Sequence, residues 1–354
     1  MNNFDAVSVL QQVTEEKASD IFIVAGLPVS YKVQGVLKTI GERLMPDDTE
    51  HMVRQIYELA GNRNIDRFLE SGDDDFSFAI PGLSRYRVST YLQRGSLASV
   101  IRIISFELPN PQDLGLPQAV LNLTSYTKGM VLVTGPAGSG KSTTLSCLVE
   151  GINTSRAGHI ITLEDPLEFL HRHKMSIVSQ REISTDTDNY LTALRAALRQ
   201  SPDVILLGEM RDHETIQTAM TAAETGHLVL SSLHTIGAAS TISRIIDVFD
   251  PSQQHQIAIQ LSMVLRAVVS QQLVPSLDGT MVPAFEIMVM TPAISNMIRD
   301  NKTHQIDGII YTSAKDDMIS MDNSLLKLYK DRRISKETAL RYSTNPEMLK
   351  KKLI

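Results

Sequence analysis

The chain has 354 residues, of which 42% are hydrophobic and 21% charged, and its formal net charge is −6. This length predicts two or three domains. The acidic balance disfavours nucleic-acid binding through bulk charge, because domains that bind nucleic acid usually carry a basic face. Cys147 is the one cysteine, which excludes an intrachain disulfide and fits a reducing cytoplasm. The sequence indicates neither a signal peptide nor a membrane-spanning stretch.

The first hundred residues are predicted to form one α+β domain. Apolar side chains at helical spacing indicate a helix at 4–17, and capping residues indicate a second helix at 47–60. Alternating or apolar runs between glycine and proline turns indicate strands. These predicted strands lie at 21–25, 29–33, 75–80, 85–93 and 100–104. We therefore predict an N-terminal domain at 1–106.

A linker is predicted at 107–117, which holds three prolines and one glycine. Beyond it, at 118–354, short apolar runs alternate with helical segments, a pattern typical of a parallel sheet with helices on both faces. The predicted strands are 131–134, 160–163, 204–207 and 228–233. One predicted helix begins at Lys141, and two others span 191–199 and 214–224. From about 250 the chain is predicted to be mainly helical, at 253–272, 291–299, 323–330 and 335–342.

Residues 135–143 read GPAGSGKST and follow an apolar run at 129–134. This is the pattern of a phosphate-binding loop, in which glycines turn backbone N–H groups toward phosphate oxygens at the start of a helix. Lys141 is predicted to reach the β and γ phosphates, and Ser142 to offer a hydroxyl to Mg²⁺. A Gly-Ser turn that fits by chance is the alternative. The predicted nucleotide-binding residues here are Gly135, Pro136, Ala137, Gly138, Ser139, Gly140, Lys141, Ser142 and Thr143.

A second block, DVILLGEMRD at 203–212, is an apolar strand that ends in Gly208 and Glu209. Ligands of parallel sheets lie beyond the carboxyl ends of the strands, so Glu209 is predicted to hold hydrated Mg²⁺ or to orient the attacking water. Gly208 stands where such motifs usually carry an aspartate. The alternative is that Glu209 is a surface carboxylate that caps the next helix.

A third block, ITLEDPLEFLH at 161–171, ends its strand in carboxylates. Glu164 is predicted to orient and deprotonate the attacking water as the γ-phosphoryl group departs. For Asp165 and Glu168, capping of the turn is an equally good interpretation.

A fourth block, TGHLVLSSLHT at 225–235, places a histidine at each end of one strand. A histidine beside the γ-phosphate can donate a hydrogen bond to it and so sense its presence. His234 follows the strand and is the better candidate for this sensor; His227 is a second candidate for nucleotide contact. Isolated histidines are more often structural, so both assignments depend on the neighbouring blocks.

In order and spacing, the four blocks resemble the Walker A, Asp, Walker B and His boxes of the type II/IV secretion ATPase superfamily. Further segments along almost the whole chain, such as RIIDVFDPSQQHQIAIQLS and SQQLVP, resemble its pilus-retraction, twitching-motility branch. The resemblance implies a PAS-like N-terminal domain and a RecA-like ATPase domain that binds ATP and Mg²⁺. It also implies a homohexameric ring in the cytoplasm, which meets a pilus platform protein at the inner face of the membrane.

Three arginines of the N-terminal domain resemble those with which the family reaches nucleotide in the same or a neighbouring subunit. They are Arg85, Arg87 and Arg94. Such arginines neutralise charge that develops during phosphoryl transfer. The alternative is that Arg85 and Arg87 lie on a solvated edge strand.

The branch within the superfamily is indicated by the cysteine content. Pilus-extension and type II secretion relatives typically carry a four-cysteine zinc module, which a chain with one cysteine cannot build. Two departures from the family pattern concern coupling and direction of force: Ser295 replaces an arginine in AISNMIRD, and Ile236 stands where asparagine is common. The alternatives are a secretion or DNA-uptake pseudopilus motor, and a regulatory module that binds ATP with negligible hydrolysis.

Overall fold

The computed structural model describes residues 5–33, 35–104, 108–313 and 317–353. The predicted boundary between domain and linker, at 106 and 107, lies outside these residues. The described chain forms two compact units, built mainly from residues up to 104 and from residues after 107. The fold is mixed α and β, as the sequence predicted.

In its described residues, the first unit consists of an antiparallel sheet and three helices. Its strand order is β3-β2-β1-β6-β5-β4. The core side chains include the fully buried Tyr86, Phe68, Ile56 and Leu10. The bounds are α1 Ala6–Glu15, β1 Asp20–Ile23, β2 Val29–Val33, β3 Val36–Ile40, α2 Pro46–Leu59, α3 Asp66–Ser71, β4 Asp73–Ile80, β5 Ser84–Gln93 and β6 Ser96–Ile104.

Strand β3 was missed by the sequence analysis for a physical reason. Residues 36–39 are all exposed, so the strand carries no alternation of buried and solvated side chains. It forms through backbone pairing with β2, in which Val29 lies opposite Ile40. A pattern of side chains cannot reveal such a strand.

The second unit contains a seven-stranded sheet with strand order β13-β12-β7-β11-β10-β8-β9. All neighbours pair in parallel except β12 and β13, which pair antiparallel. The strand bounds are β7 Gly129–Thr134, β8 His159–Glu164, β9 Ile177–Glu182, β10 Val204–Leu207, β11 Leu228–Leu233, β12 Leu265–Pro275 and β13 Met281–Val289.

Helices cover both faces of this sheet, as predicted. Along β7, Met130 and Leu132 join one buried cluster, whereas Val131 and Val133 join another on the opposite face. Strands buried on both faces have continuous apolar sequences, which explains why β10 and β11 were predicted with their observed bounds. The helices are α4 Gln118–Leu121, α5 Lys141–Ser155, α6 Tyr190–Ala197, α7 His213–Glu224, α8 Ala238–Asp247 and α9 Pro251–Val264.

The prediction of a helix over 253–272, within a mainly helical region from about 250, was wrong in part. Helix α9 ends at Val264, and the chain continues as β12 and β13. Strand β12 inserts beside β7 and is buried along most of its length. Apolar periodicity cannot separate such a buried strand from a buried helix. Helices resume afterwards as α10 Pro292–Arg299, α11 Ile306–Thr312, α12 Met321–Lys330, α13 Lys336–Tyr342 and α14 Pro346–Lys350.

Side-chain caps begin several of these helices. Asn189 accepts a hydrogen bond from the N–H of Thr192 at 2.9 Å, and Asp212 accepts one from Thr215 at 2.8 Å. Such caps satisfy N–H groups that have no partner inside the helix. Within the described ranges, no helix combines the length and the apolar character needed to cross a membrane.

Candidate functional site

The loop at 135–140 connects the end of β7 to the first residue of α5. Gly135 has φ 141° and Gly140 has φ 87°, in the region that favours glycine. A Cβ at Gly135 would lie 2.1 Å from the backbone oxygen of Gln271. Only glycine fits so close to β12, and the loop is therefore held tightly against the sheet.

Lys141 is buried at the N-terminus of α5. Its Nζ donates hydrogen bonds to the carbonyl oxygens of Gly135 at 3.0 Å and Pro136 at 2.9 Å. The ammonium group therefore lies across the mouth of the loop. A helix N-terminus with a lysine in this position attracts anions, and phosphate in particular.

The candidate residues of the four sequence blocks lie at the carboxyl ends of four strands, on the same side of the sheet. The strands β7, β11, β10 and β8 are consecutive neighbours and run parallel. Gly135 follows β7, His234 follows β11, Glu209 lies two residues past β10, and Glu164 ends β8. At about 4.8 Å per strand, Glu164 lies about 14 Å along the sheet from the β7 end.

Glu209 lies between the side chains of Arg211 and His234. Its carboxylate oxygens are 2.6 Å from Nη2 of Arg211 and 3.5 Å from Nε2 of His234. The Glu209 side chain is 13% exposed, whereas that of His234 is 57% exposed. The hydrogen bond and the charge of Glu209 raise the pKa of Arg211. Because Asp212 caps α7, the alternative in which Glu209 serves as that cap is wrong.

A cavity of about 460 Å³ opens beside Glu209. Arg211, His234 and Arg244 border it, so two guanidinium groups and an imidazole face a space large enough for small anionic groups.

Glu164 is buried at the end of β8. Its Oε1 lies 3.5 Å from Nε2 of Gln180, and its backbone carbonyl accepts a hydrogen bond from the N–H of Ile183 at 2.8 Å. In the pairing of β8 with β9, Glu164 lies opposite Glu182, which is also buried.

Tyr190 is a residue of this site that the sequence analysis missed. A Cβ at Gly208 would lie 2.8 Å from its hydroxyl oxygen. Burial raises the pKa of Tyr190, and the carboxylates of Glu209, Asp165 and Glu164 raise it further. The phenol therefore lies in the field of the predicted catalytic carboxylates. No local pattern marks it, because Tyr190 precedes Gly208 by 18 positions and meets it only through packing.

His227 requires a correction. It lies before β11, and its carbonyl accepts a hydrogen bond from the N–H of Gly129, the first residue of β7. Its Nδ1 is 2.9 Å from the carbonyl oxygen of Ala222. A six-residue strand is about 20 Å long, so His227 lies at the opposite edge of the sheet from the phosphate loop of its own chain. We do not retain it as a nucleotide contact.

The three arginines belong to the first unit. Arg85 and Arg87 project from the same face of β5, opposite the buried Tyr86, whereas Arg94 lies in the turn after β5 with φ 52°. Strand β5 is flanked by β4 and β6, so the alternative of a solvated edge strand is wrong. Their predicted contact with nucleotide stays a prediction.

The predicted metal ligands are suited to a hard cation. Among the described residues, no group of three or more histidine, cysteine, aspartate or glutamate side chains could hold a metal ion. Ser142, in the first turn of α5, and Glu209 would supply a hydroxyl and a carboxylate oxygen. Mg²⁺ is commonly bound in this way, through one or two protein oxygens together with substrate phosphates.

Comparison with known proteins identifies the class. The family model "Type II/IV secretion system protein" matches residues 5–343. The type IV pilus retraction ATPase PilT of Pseudomonas aeruginosa is 40% identical over 343 residues, which are 97% of this chain and 99% of that protein. The chain belongs to the type II/IV secretion system protein family, and the predicted resemblance is confirmed.

Two further similar proteins belong to the pilus-retraction, twitching-motility branch of this family. A twitching motility protein of Neisseria gonorrhoeae is 38% identical over 98% of this chain and 92% of its own length. The crystal structure of the pilus retraction motor PilT with bound ADP superposes with a TM-score of 0.87. It is 42% identical and covers 97% of this chain and 99% of that one.

Proposed function

We propose that the chain is a motor ATPase that drives type IV pilus retraction. The observation that carries this proposal is the alignment of Gly135, His234, Glu209 and Glu164 along one edge of four adjacent parallel strands. This edge brings a phosphate loop, carboxylates and a histidine together, which are the groups that hydrolysis of a nucleoside triphosphate requires. The retraction ATPases among the relatives support the same activity.

Each residue has a distinct task in this proposal. The loop N–H groups and Lys141 bind the phosphates of ATP, and Ser142 and Glu209 hold Mg²⁺. When bound, Mg²⁺ supplies positive charge that neutralises the phosphate oxygens. Glu164 orients the attacking water and accepts its proton. His234 donates a hydrogen bond to the γ-phosphate and so senses whether that phosphate is present. The positively charged Arg211 and Arg244 border the cavity beside Glu209.

The larger assembly is also part of the proposal. A PAS-like domain at 1–106 and a RecA-like domain at 118–354 are joined by the linker at 107–117. Six chains form a ring in which Arg85, Arg87 or Arg94 reaches nucleotide. The ring works in the cytoplasm against a platform protein at the inner face of the membrane.

Two other functions predict different results. A regulatory module would bind ATP but release negligible phosphate, and a DNA-uptake motor would be stimulated by DNA. A phosphate-release assay on the purified full-length chain, with and without DNA, separates these cases. We expect Mg²⁺-dependent turnover that DNA does not stimulate; absence of turnover would contradict an ATPase.

The direction of force requires a test in cells. Deletion of the gene should leave excess surface pili that do not retract. Cells without pili would instead indicate extension, and unchanged pili would indicate a secretion or regulatory role.

A further inference from the structure

Strand β12 carries three consecutive polar side chains at the point where it passes the phosphate loop. Ser270 pairs with Thr134, the last residue of β7, so Gln271 lies next to the first residue of the loop. Ser270 accepts a hydrogen bond from the N–H of Gly237 at 2.9 Å, whereas Gln272 donates one to the carbonyl of Tyr342 at 3.4 Å. Gln271 points to the opposite face, on which α5 packs.

The Gln271 amide joins the loop to α5. Its Nε2 donates a 2.5 Å hydrogen bond to the backbone carbonyl of Ser139, and its Oε1 accepts a 2.7 Å bond from the hydroxyl of Thr144. Gln271, Ser139 and Thr144 are each at most 3% exposed. Since a carbonyl oxygen only accepts hydrogen bonds, the NH₂ group must face Ser139, and Thr144 must then be the donor to Oε1.

This contact determines the direction of one N–H group of the loop. The carbonyl of Ser139 and the N–H of Gly140 belong to the same peptide group, which is planar. In a trans peptide these two bonds point in opposite directions. By holding the Ser139 carbonyl, Gln271 therefore directs the Gly140 N–H in the opposite direction within the peptide plane, away from the Gln271 amide.

The fit around Gln271 is too close for other residues in the loop. A Cβ at Gly140 would lie 2.7 Å from Nε2 of Gln271, and one at Gly135 would lie 2.1 Å from its backbone oxygen. The first and last glycines of the loop are thus both shaped by this one residue.

We propose that Gln271 is a positioning residue for nucleotide binding, which fixes the phosphate loop so that the Gly140 N–H is available to a phosphate oxygen. The inference rests on the proposed nucleotide-binding role of the loop. It assigns to β12 a function at the site that no sequence motif indicated. Gln271 acts through the loop backbone and does not itself contact the reacting atoms.

The test uses the full-length chain, with ADP binding measured by calorimetry and ATP turnover measured by phosphate release. Gln271→Met keeps the side-chain length and removes both hydrogen bonds. We expect the Kd for ADP and the KM for ATP to rise about tenfold, the order expected for a buried hydrogen bond. We expect kcat to change less, because bound nucleotide itself helps to order the loop.

Two further variants separate the two bonds. Gln271→Glu retains an acceptor for Thr144 but has no donor for the Ser139 carbonyl, so it should bind ADP as weakly as Gln271→Met. Thr144→Val removes only the bond from the hydroxyl and should have a smaller effect, which Thr144→Ser should reverse.

The matched control is Gln272→Met, the same substitution one residue further along the strand, at a similarly buried position on the opposite face. Thermal unfolding of both methionine variants measures the loss of stability. If Gln271→Met lowers the melting temperature as Gln272→Met does and leaves ADP affinity and KM unchanged, Gln271 is only structural and the inference is wrong. If Gln271→Met does not fold, the Thr144 pair decides: an ADP affinity and KM that do not change in Thr144→Val would contradict the inference.

Failure of the proposed function gives a different result. In that case the wild-type chain would bind ADP without releasing phosphate from ATP, and the ADP titrations of the variants would still test Gln271. A wild-type chain that binds no ADP would contradict both proposals.

Discussion

The Tyr190 hydroxyl occupies the space that a side chain at Gly208 would need, beside the predicted catalytic carboxylates. A Cβ at Gly208 would lie 2.8 Å from the Tyr190 hydroxyl oxygen and 3.3 Å from the carbonyl oxygen of Leu163. The site at which comparable motifs usually carry an aspartate therefore has no room for a side chain here. Glycine at this position is a consequence of packing.

This relationship predicts the effect of Gly208→Ala. The added methyl group should lower the free energy of unfolding by about 1–3 kcal/mol, as overpacking typically does. Chemical denaturation measures the change. In a Tyr190→Phe background the loss should be smaller, because the nearest atom is gone, and the double-mutant cycle isolates that coupling.

Gly308→Ala is the control for this substitution, since a Cβ at that position in α11 meets no atom of the described residues within 4 Å beyond its own helix backbone and chain neighbours. It should be neutral or slightly stabilising, because alanine favours helices over glycine. Equal costs of Gly208→Ala in both backgrounds would contradict the predicted contact with Tyr190.

Lys141→Ala should abolish tight binding of ATP and lower turnover by about a hundredfold or more, because it removes the ammonium group from the mouth of the loop. ATP binding by calorimetry and phosphate release are the measurements. Lys128→Ala, at an exposed position near the other end of β7, should behave like wild type. Unchanged ATP affinity in Lys141→Ala would exclude the loop as the phosphate site.

Glu164→Gln should retain bound ATP while turnover falls by about a hundredfold, since the amide cannot accept the proton of the attacking water. Retention of nucleotide through gel filtration, followed by its analysis, measures this effect. Glu182→Gln is the control, because Glu182 is the buried carboxylate opposite Glu164 in the neighbouring strand. Wild-type turnover in Glu164→Gln would disprove its assigned role.

His171 predicts a dependence of stability on pH. Its side chain is 1% exposed, with Nδ1 at 3.3 Å from Glu150, which also binds Lys174. Burial lowers the pKa of His171 below its ordinary value of 6.5, although Glu150 opposes the shift. Burial also acts to raise the pKa of Glu150, but its hydrogen bonds with Lys174, Asn153 and His171 outweigh burial and lower it.

The direction of this pH dependence follows from the lowered pKa of His171 in the folded state. The unfolded chain binds its proton first as the pH falls through 6.5, so the folded state loses stability below that pH, by at most about 1.4 kcal/mol per pH unit. In His171→Asn this part of the loss should disappear in denaturation curves recorded between pH 7.5 and 5.5. The exposed control His51→Asn should retain it. Parallel curves for wild type and His171→Asn would refute the prediction.

Much of the second unit could be predicted because its central strands are buried on both faces. Strands β10 and β11 appear in the sequence as uninterrupted apolar runs, and the glycines of residues 135–140 mark a loop before a helix. Strands β9, β12 and β13 of this unit were not predicted. Strand β9, for example, carries polar side chains at 179–181, and its place beside β8 comes from backbone pairing between distant segments.

The phosphate loop, Glu164, Glu209 and His234 could be predicted as site residues from the sequence, since each lies in a local motif, and their roles stay predictions. Only the tertiary structure placed His234 between the β7 and β10 ends and brought Gln271 and Tyr190 to the site. The reason is physical: strand order depends on which distant segments form hydrogen bonds with each other, and no local pattern of side chains records that choice. The chemistry of the site is thus local, whereas its arrangement is decided by pairing and packing.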